Sequence, residues 1–573
     1  MFEWKSKTDE QIAKYVTEQQ GRLERRRLIW EDLWKVIVDV FRPRRYNILG
    51  DRVKGEQFGT QVYDQHPANA LNKFVGGKLG YMVSRSIPWH QVVAISSQLM
   101  RLDHIKKYCQ EATEQILSAA GRSTLYSALY PHALDAHTVG TSVMIPNDDD
   151  VKDRVVFDVV HPKDSYVAVD RFGDPIIYHR LLTLTRIMAL EYFGKDKLPT
   201  AWFKKDGELK MPLSEQTFIW TVYPNNDRDE SSALPVDREF AVFCVMQGSA
   251  GAGKSRLVLR SGRDVFPICW RSLRESGAEY GTSLAADCLT GGLVTNKLSE
   301  KALTAAHQAV EGAVVASKSV RASLMRGNLS PGSRIWVDDI NREGVKVVQD
   351  KQNWPITDAE RKLYHDQIDD RFFIRFFEML SAGDIKTRTA YEVSQMMAEK
   401  ATLMSTIVDT FEQESLEPSI KALIIHETEA GRMPDPPDEL IVGGNEYDLE
   451  IRYLGPLAQL QRTLLKTKGT VDALSVIAQI MAMAEEVGWK FNWLEIAEEV
   501  AVAQGMPQRH IFSDEEVNAT KQQVEAQRAA LAQAEIAEKA GKATQSLSKR
   551  IEPGSALQQL LTAGPPPVGR GGA

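Results

Sequence analysis

The segment Thr357–Leu380, TDAERKLYHDQIDDRFFIRFFEML, decides how the rest of the chain is read. Tyr364, Ile368, Phe372, Phe376 and Leu380 recur every four residues, with Leu363, Phe373 and Phe377 beside them. That spacing lays a broad apolar stripe along a helix. Arg361, Lys362, Asp366, Asp369 and Asp370 fall on the other side, so one flank wants protein and the other water. Thr357 and Glu360, just after Pro355, form a capping-box start. A helix over 357–380 would be roughly 36 Å long. Upstream, NKLSEKALTAAHQAVEG (296–312) is rich in the strong helix formers Ala, Leu, Lys and Glu. The residues between the two helices are punctuated by Gly, Pro and Ser and carry β-branched runs, which predict short strands and loops. Downstream, SAGDIKTR (381–388) reads as a loop with Lys386 and Arg388, and Thr389 with Glu392 opens another long helix. The pattern is two struts with a small domain at their tip; nothing in it resembles a catalytic pocket.

Working outward, 573 residues suffice for a large core and more than one domain. Apolar residues make up 43% and charged residues 26%, ordinary for a globular chain. The net charge of −7 argues against a protein that grips nucleic acid over its whole surface, though not against a channel through which it slides. Cys109, Cys244, Cys269 and Cys288 are scattered without a CxxC pair, so buried reduced thiols are expected rather than zinc ligands or disulfides. The first residues, MFEWKSKTDEQ, hold no apolar signal region, and no apolar run reaches membrane-spanning length. Synthesis and retention in a reducing cytoplasm are expected, with no membrane insertion.

Residues 8–42 read as an amphipathic helix stopped by Pro43. Its Arg22, Arg25, Arg26 and Arg27 are read as a solvated or salt-bridged face in preference to a phosphate contact. A helix in 62–92 carries Gly76, Gly77 and Gly80, which permit close packing, and further helix fills 102–140. From Val155 to Gln247 alternating, turn-punctuated runs predict a mainly antiparallel sheet, giving an α+β multi-domain protein. Pro418 and Gly431 interrupt the later helical run, and EYDLEIRYLG supplies one more strand. Helices dominate 456–550, including a long polar one opened by Ser513 and Glu516, suited to packing on copies of itself or on neighbouring helices. The tail AGPPPVGRGGA has a disordered composition.

One motif tempts. Residues 248–255, GSAGAGKS, match the P-loop pattern in full, which would make the chain a nucleotide-binding ATPase with Lys254 on the phosphates. That chemistry needs a helix directly after Lys254-Ser255. RLVLRSGRDVFPICW instead alternates like a strand, so the glycines are read as a hairpin turn. Asp148, Asp149, Asp150 and Asp153, and Asp338, Asp339 and Glu343, are read as polar loops rather than metal or nuclease clusters. No histidine pair or nucleophile motif stands out, so no catalytic residue, metal or cofactor is expected. The residues alone indicate a structural or binding protein.

Several segments, taken in order, resemble the portal, or head-to-tail connector, proteins of short-tailed, podovirus-type bacteriophages. They are WEDLWKVIVDVFRPRR, VYDQHPANALNKFVGGKLGYMVS, STLYSALYPHALDAHTVGTSVMI, FDVVHPKDSYVAVDRFGDPIIYHR, ESGAEYGTSLAADCL, TAYEVSQMMAEK and DLEIRYLGPLAQLQR, and they cover roughly residues 25–515. Leu284-Ala285 stands where the family has a more basic, proline-bearing turn. The resemblance implies a portal fold of wing, stem, clip and crown. It sets residues 1–280 and 389–455 as wing, 281–312 and 357–380 as stem, and 313–356 as clip. Residues 381–388 would be the tunnel loop, 456–550 the crown and 551–573 a flexible tail. It further implies a twelve-subunit ring at one capsid vertex, carrying double-stranded DNA. The expected partners are the terminase large subunit, tail adaptor and nozzle proteins, and the major capsid or scaffolding protein. On this view Phe372, Phe373, Phe376 and Phe377 bury against neighbouring subunits. Arg326, Arg334 and Trp336 would meet terminase and adaptor. Lys386 and Arg388 either form a weak positive collar on DNA or pair with wing carboxylates.

Overall fold

The computed structural model describes residues 4–43, 62–149 (97 excepted), 151–248 (230 and 233 excepted), 255–310, 313–315, 346–348, 354–381, 402–455 (443–445 and 448 excepted), 493, 496–497 and 514–548. The chain opens with one long helix, Asp9–Phe41, fixed at its start by a reciprocal capping box between Thr8 and Gln11. At 1.5 Å per residue it spans about 50 Å, and it serves three cores in turn. Ile12 and Val16 lie on one face of a sheet with Trp4, Trp34 and Val38 on the other face, and Ile37 and Phe41 in the helical body.

That sheet has five antiparallel strands in sequence order: β4 (Ser165–Val169), β5 (Pro175–Thr185), β6 (Glu215–Pro224), β7 (Phe240–Met246) and β8 (Arg256–Arg263). Alternation sorts its side chains. Phe218, Trp220 and Val222 of β6 with Val242, Cys244 and Met246 of β7 fill one core, while Ile219, Tyr223, Phe243 and Val245 fill the other. Both faces are covered, which is why β6 and β7 read as nearly continuous apolar runs. A second sheet orders β3 (Arg154–Val160), β2 (Thr141–Asp149) and β9 (Ile268–Arg271), again antiparallel. A third pairs β1 (His90–Ala94) with β12 (Leu449–Tyr453), bringing together segments about 360 positions apart.

The helical body gathers His66–Met82, Asp103–Arg122, Leu125–Val139 and Ser405–Glu429 around Leu71, Phe74, Ile116, Leu129, Trp270 and Phe411. Within Ser405–Glu429, residues Glu412–Leu416 form a π-helical turn, and Pro418 follows directly at the start of the next α-helical stretch, so the helix runs on through the proline. Leu289–Val310 and Trp354–Arg371 pack against each other. Beyond them β10 (Ala313–Val315) pairs antiparallel with β11 (Lys346–Val348). The helix Asp514–Ser548 closes the described chain, with Val524, Leu531 and Ile536 exposed.

Three expectations change. The helix foreseen over 357–380 begins at Trp354, so Thr357 and Glu360 lie inside it, and Pro355 sits in its first turn. It is also interrupted: Phe373 has φ +54°, and a separate helix, Ile374–Ser381, follows. The helix expected from residue 296 starts earlier, at Leu289. The P-loop rejection holds, since β8 follows Ser255 directly and pairs antiparallel with β7, while residues 249–254 lie outside those described.

Candidate functional site at the helix-pair junction

The paired helices leave the body at a junction built from four segments. Gly291 of the first helix lets Ile368 and Tyr364 of the second approach to within ordinary contact of where a Cβ would stand. Its neighbour Gly292 faces Val40 of the N-terminal helix, where an added Cβ would come within 2.6 Å. Asn296 accepts through Oδ1 from the backbone N–H groups of Tyr63 (2.7 Å) and Asp64 (3.2 Å). From the second helix, His365 Nε2 meets Asp64 Oδ2 at 2.7 Å, and Asp369 Oδ1 lies 2.9 Å from His66 Nε2. The His66 and His365 rings stack with centroids 4.0 Å apart. Burial would raise the Asp64 carboxyl, but the His66 backbone N–H, His365 and Thr295 hold it below the ordinary aspartate value. Both helices thus clasp residues 63–66.

Below the clasp sits the aromatic cluster. Phe372 and Phe376 are fully buried, and Phe373 and Phe377 nearly so. Phe372 lies against Phe41 and Phe74, and Phe377 stacks on Tyr81 with centroids 6.0 Å apart. The expectation that these four residues await a neighbouring subunit is corrected: the chain's own helices cover them. The left-handed residue at Phe373 is the device. It ends one helix and starts another, folding the aromatic run back onto His66–Met82, and the apolar burial offsets a backbone strain of about 1–3 kcal/mol.

Close contact there depends on Gly77, whose added Cβ would stand 2.8 Å from the Phe377 ring. Gly77→Ala should therefore cost about 1–3 kcal/mol by overpacking, despite the better helix propensity of alanine, and a urea titration measures it. Equal substitution at Gly76 or Gly80, where no atom of the described residues lies within 4 Å, should not destabilise. Of the three glycines foreseen as packing residues, only Gly77 is used in that way.

Next along the same helix, Lys78 is wholly buried. Its Nζ donates to the Ile407 carbonyl at 3.2 Å, lies 3.4 Å from His137 Nε2, and sits over the Trp270 and Phe411 rings. His137 Nδ1 in turn meets Ser272 Oγ at 2.7 Å. Burial pushes the lysine well below its usual value and the histidine likewise. Residues 382–401 lie outside those described, but both their flanks meet one helix: Phe377 at Gly77 and Ile407 at Lys78. Nothing in the sequence set Lys78 apart from Lys73 on the same helix.

Burial of uncharged imidazoles has a pH consequence. Burial brings His90 down to about 4 and His132 and His179 to about 3. Below the ordinary histidine value of 6.5 the unfolded chain takes up these protons and the folded chain does not. Stability should therefore be complete above about pH 6.5 and fall steadily from there toward pH 4. Urea midpoints at pH 7.5 and 5 check this; equal midpoints would exclude it.

Lys386 and Arg388, and Arg326, Arg334 and Trp336, lie outside the described residues. Of the acidic run, Asp149 pairs with Arg154, Asp148 with His426 and Asp153 with Arg432, while Asp150, like Asp338, Asp339 and Glu343, lies outside the described residues. Among the arginines of the first helix, Arg26 pairs with Glu279. Arg27 is buried, donating to the carbonyls of Pro162 and Ser165 and to Tyr166 Oη. The four cysteines are buried free thiols. No described helix is long and apolar enough to cross a membrane.

Comparison with known proteins gives the frame for this geometry. Residues 13–512 match the family model described as bacteriophage head to tail connecting protein. The chain is 26% identical over 462 residues to the probable portal protein of Bordetella phage BPP-1, covering 79% of this chain and 80% of that one. It is 22% identical over 473 residues to the portal protein of Salmonella phage epsilon15, covering 80% and 82%.

Proposed function

This chain belongs to the bacteriophage head-to-tail connecting protein family, and from that premise we propose how its parts share the work of a portal. It is a structural component of the virion, a viral portal protein and not an enzyme. Copies assemble as a twelve-membered ring around a channel at one capsid vertex. Double-stranded DNA is packaged through that channel by the terminase motor and later leaves by it. The β-rich sheets and helical body form the wing, and the helix pair 289–310 and 354–371 forms the stem. The segment beyond them, entered and left through β10 and β11, is the clip. There Arg326, Arg334 and Trp336 meet terminase and then the tail adaptor and nozzle proteins. Lys386 and Arg388 repeat around the ring as a thin positive collar, each contact weak and screened by salt. Capsid or scaffolding protein contacts the outer wing, and the last helices form the crown.

The observation that carries this reading is the helix pair capped by a two-stranded antiparallel ladder within a family match over residues 13–512. Electron microscopy of the purified chain should show rings with a central hole. A monodisperse monomer under the same assembly conditions would overturn it. Lys254→Ala should leave virion yield unchanged, because a strand and not a helix follows Ser255, so no phosphate site is formed there.

A further inference from the structure

The five-stranded sheet carries an apolar knob at one end and an apolar groove at the other. The knob is the 186–214 excursion between β5 and β6. Arg186 N–H bonds the Ser214 carbonyl at 3.0 Å and Ile187 N–H the Pro212 carbonyl at 3.1 Å, so residues 187 and 211–213 form one surface. Ile187 is 51%, Met211 72% and Leu213 80% exposed. Met211 also holds a left-handed backbone, φ +52°, which an unbranched L residue adopts only at a cost. A surface that strains to present three bare apolar side chains is unlike scattered exposed leucines.

The groove, about 840 Å³, opens where β5 and β7 begin and β8 ends, between that sheet edge and the helical body. Ile116, Phe266, Ile424, Met433, Leu449 and Ile451 line it. The two features cannot meet within one chain: β5 runs from Pro175, on the groove, to Thr185, beside the knob, and its length is about 35 Å. Their charges are opposite. The groove lining has Asp174, Asp264, Glu414, Glu417 and Asp435 against three basic residues, while 186–214 has six basic residues against four acidic. Glu417 and Asp435 on the rim, and Lys197 and Lys205 on the knob, make no ion pair among the described residues.

We infer that the occupant of the groove is a second copy of this chain, its 186–214 knob seated head-to-tail. The knob buries Ile187, Met211 and Leu213 among the groove's aliphatic residues and sets Lys197 and Lys205 near Glu417 and Asp435. A heterologous contact of this kind closes into a ring when the rotation between copies is right. The inference rests on the ring assembly proposed above and adds the surfaces that make it.

Paired cysteines test it. In Leu213→Cys/Glu417→Cys the two thiols of one chain are far beyond disulfide reach, and the native cysteines are buried, so oxidation can join only different copies. Under assembly conditions the double variant should give a ladder of covalent multimers on a non-reducing gel, and each single variant should not. Met211→Asp/Leu213→Asp, at exposed positions, should keep native circular dichroism while shifting sedimentation from ring to monomer, at least tenfold in the assembling concentration. Rings seen by electron microscopy without a ladder, and persisting in the Asp variant, would discard the knob and groove and leave the ring intact; absence of rings in the unmodified chain would discard both.

Discussion

Gly140→Ala should destabilise the chain by about 3–5 kcal/mol, among the largest effects of any single methyl group here. Two costs combine. Gly140 has φ +92°, a conformation that strains any L side chain. An added Cβ would also stand 1.9 Å from the Gly281 carbonyl oxygen, which is backbone and cannot rotate aside. The reason for this close approach is that two Gly-Thr-Ser tripeptides dock together. Gly281 N–H donates to Thr141 Oγ1 at 2.8 Å, Ser283 Oγ donates to the Thr138 carbonyl at 2.7 Å, and Ser272 N–H donates to the Gly140 carbonyl at 2.9 Å. They join the helix Leu125–Val139 to the turn that leads toward the helix Leu289–Val310. Gly431→Ala is the control: φ is +65°, nothing lies within 4 Å, and only the conformational cost of about 1–2 kcal/mol applies. Urea unfolding of both variants decides; equal losses would mean that the backbone yields and the docking is loose.

Glu414→Ala should cost a similar amount, about 3–5 kcal/mol, by stranding a buried cation. The Arg271 side chain is 2% exposed, and its guanidinium donates to Glu414 Oε1 at 2.5 Å and to the Gly173 carbonyl at 2.5 Å. The Arg271 backbone N–H reaches Glu414 Oε2 at 2.7 Å, so this one carboxylate holds strand β9 to the π-helical turn. Taking both charges away is a different experiment. Arg271→Met/Glu414→Leu should recover much of the loss, because a buried pair replaced by apolar residues is often near neutral. A single variant within about 1 kcal/mol of the parent would show that water reaches the arginine.

The sequence disclosed the elements whose periodicity is local. The first helix, the five-stranded antiparallel sheet and the paired helices follow from alternation and helical spacing, although the capping box at Thr357 marked no boundary. The antiparallel pairing of β7 with β8 was also legible, because the β-branched and apolar run Leu257-Val258-Leu259 stands where a P-loop would need a helix. What it hid depends on distant partners. The pairing of β1 with β12 joins strands too far apart for any local rule. The fate of Phe372, Phe373, Phe376 and Phe377 turned on one left-handed residue, and an apolar stripe does not say whether its cover is the same chain or another copy. Lys78 reads as a surface residue until Trp270, Phe411 and His137 close around it. The motif strings AHTVGTSVM and EYGTSLA marked positions of interest, yet only the fold shows that they press on one another.

The π-helical turn at Glu412–Leu416 amounts to one residue more than an α-helix needs, and the helix beyond it is phased accordingly. Excising the exposed Gln413 would restore regular winding and leave the helix beyond in phase, because the turn already absorbs the surplus residue. Ile420 and Leu423 would keep their places in the core. Glu427 would keep Gln115, Arg122 and Arg432, whose hydrogen bonds override burial and hold its carboxyl down to about 2. Loss of one residue should therefore be tolerated at 413 far better than at Lys421 in the regular helix beyond, where it would turn everything downstream by about 100°.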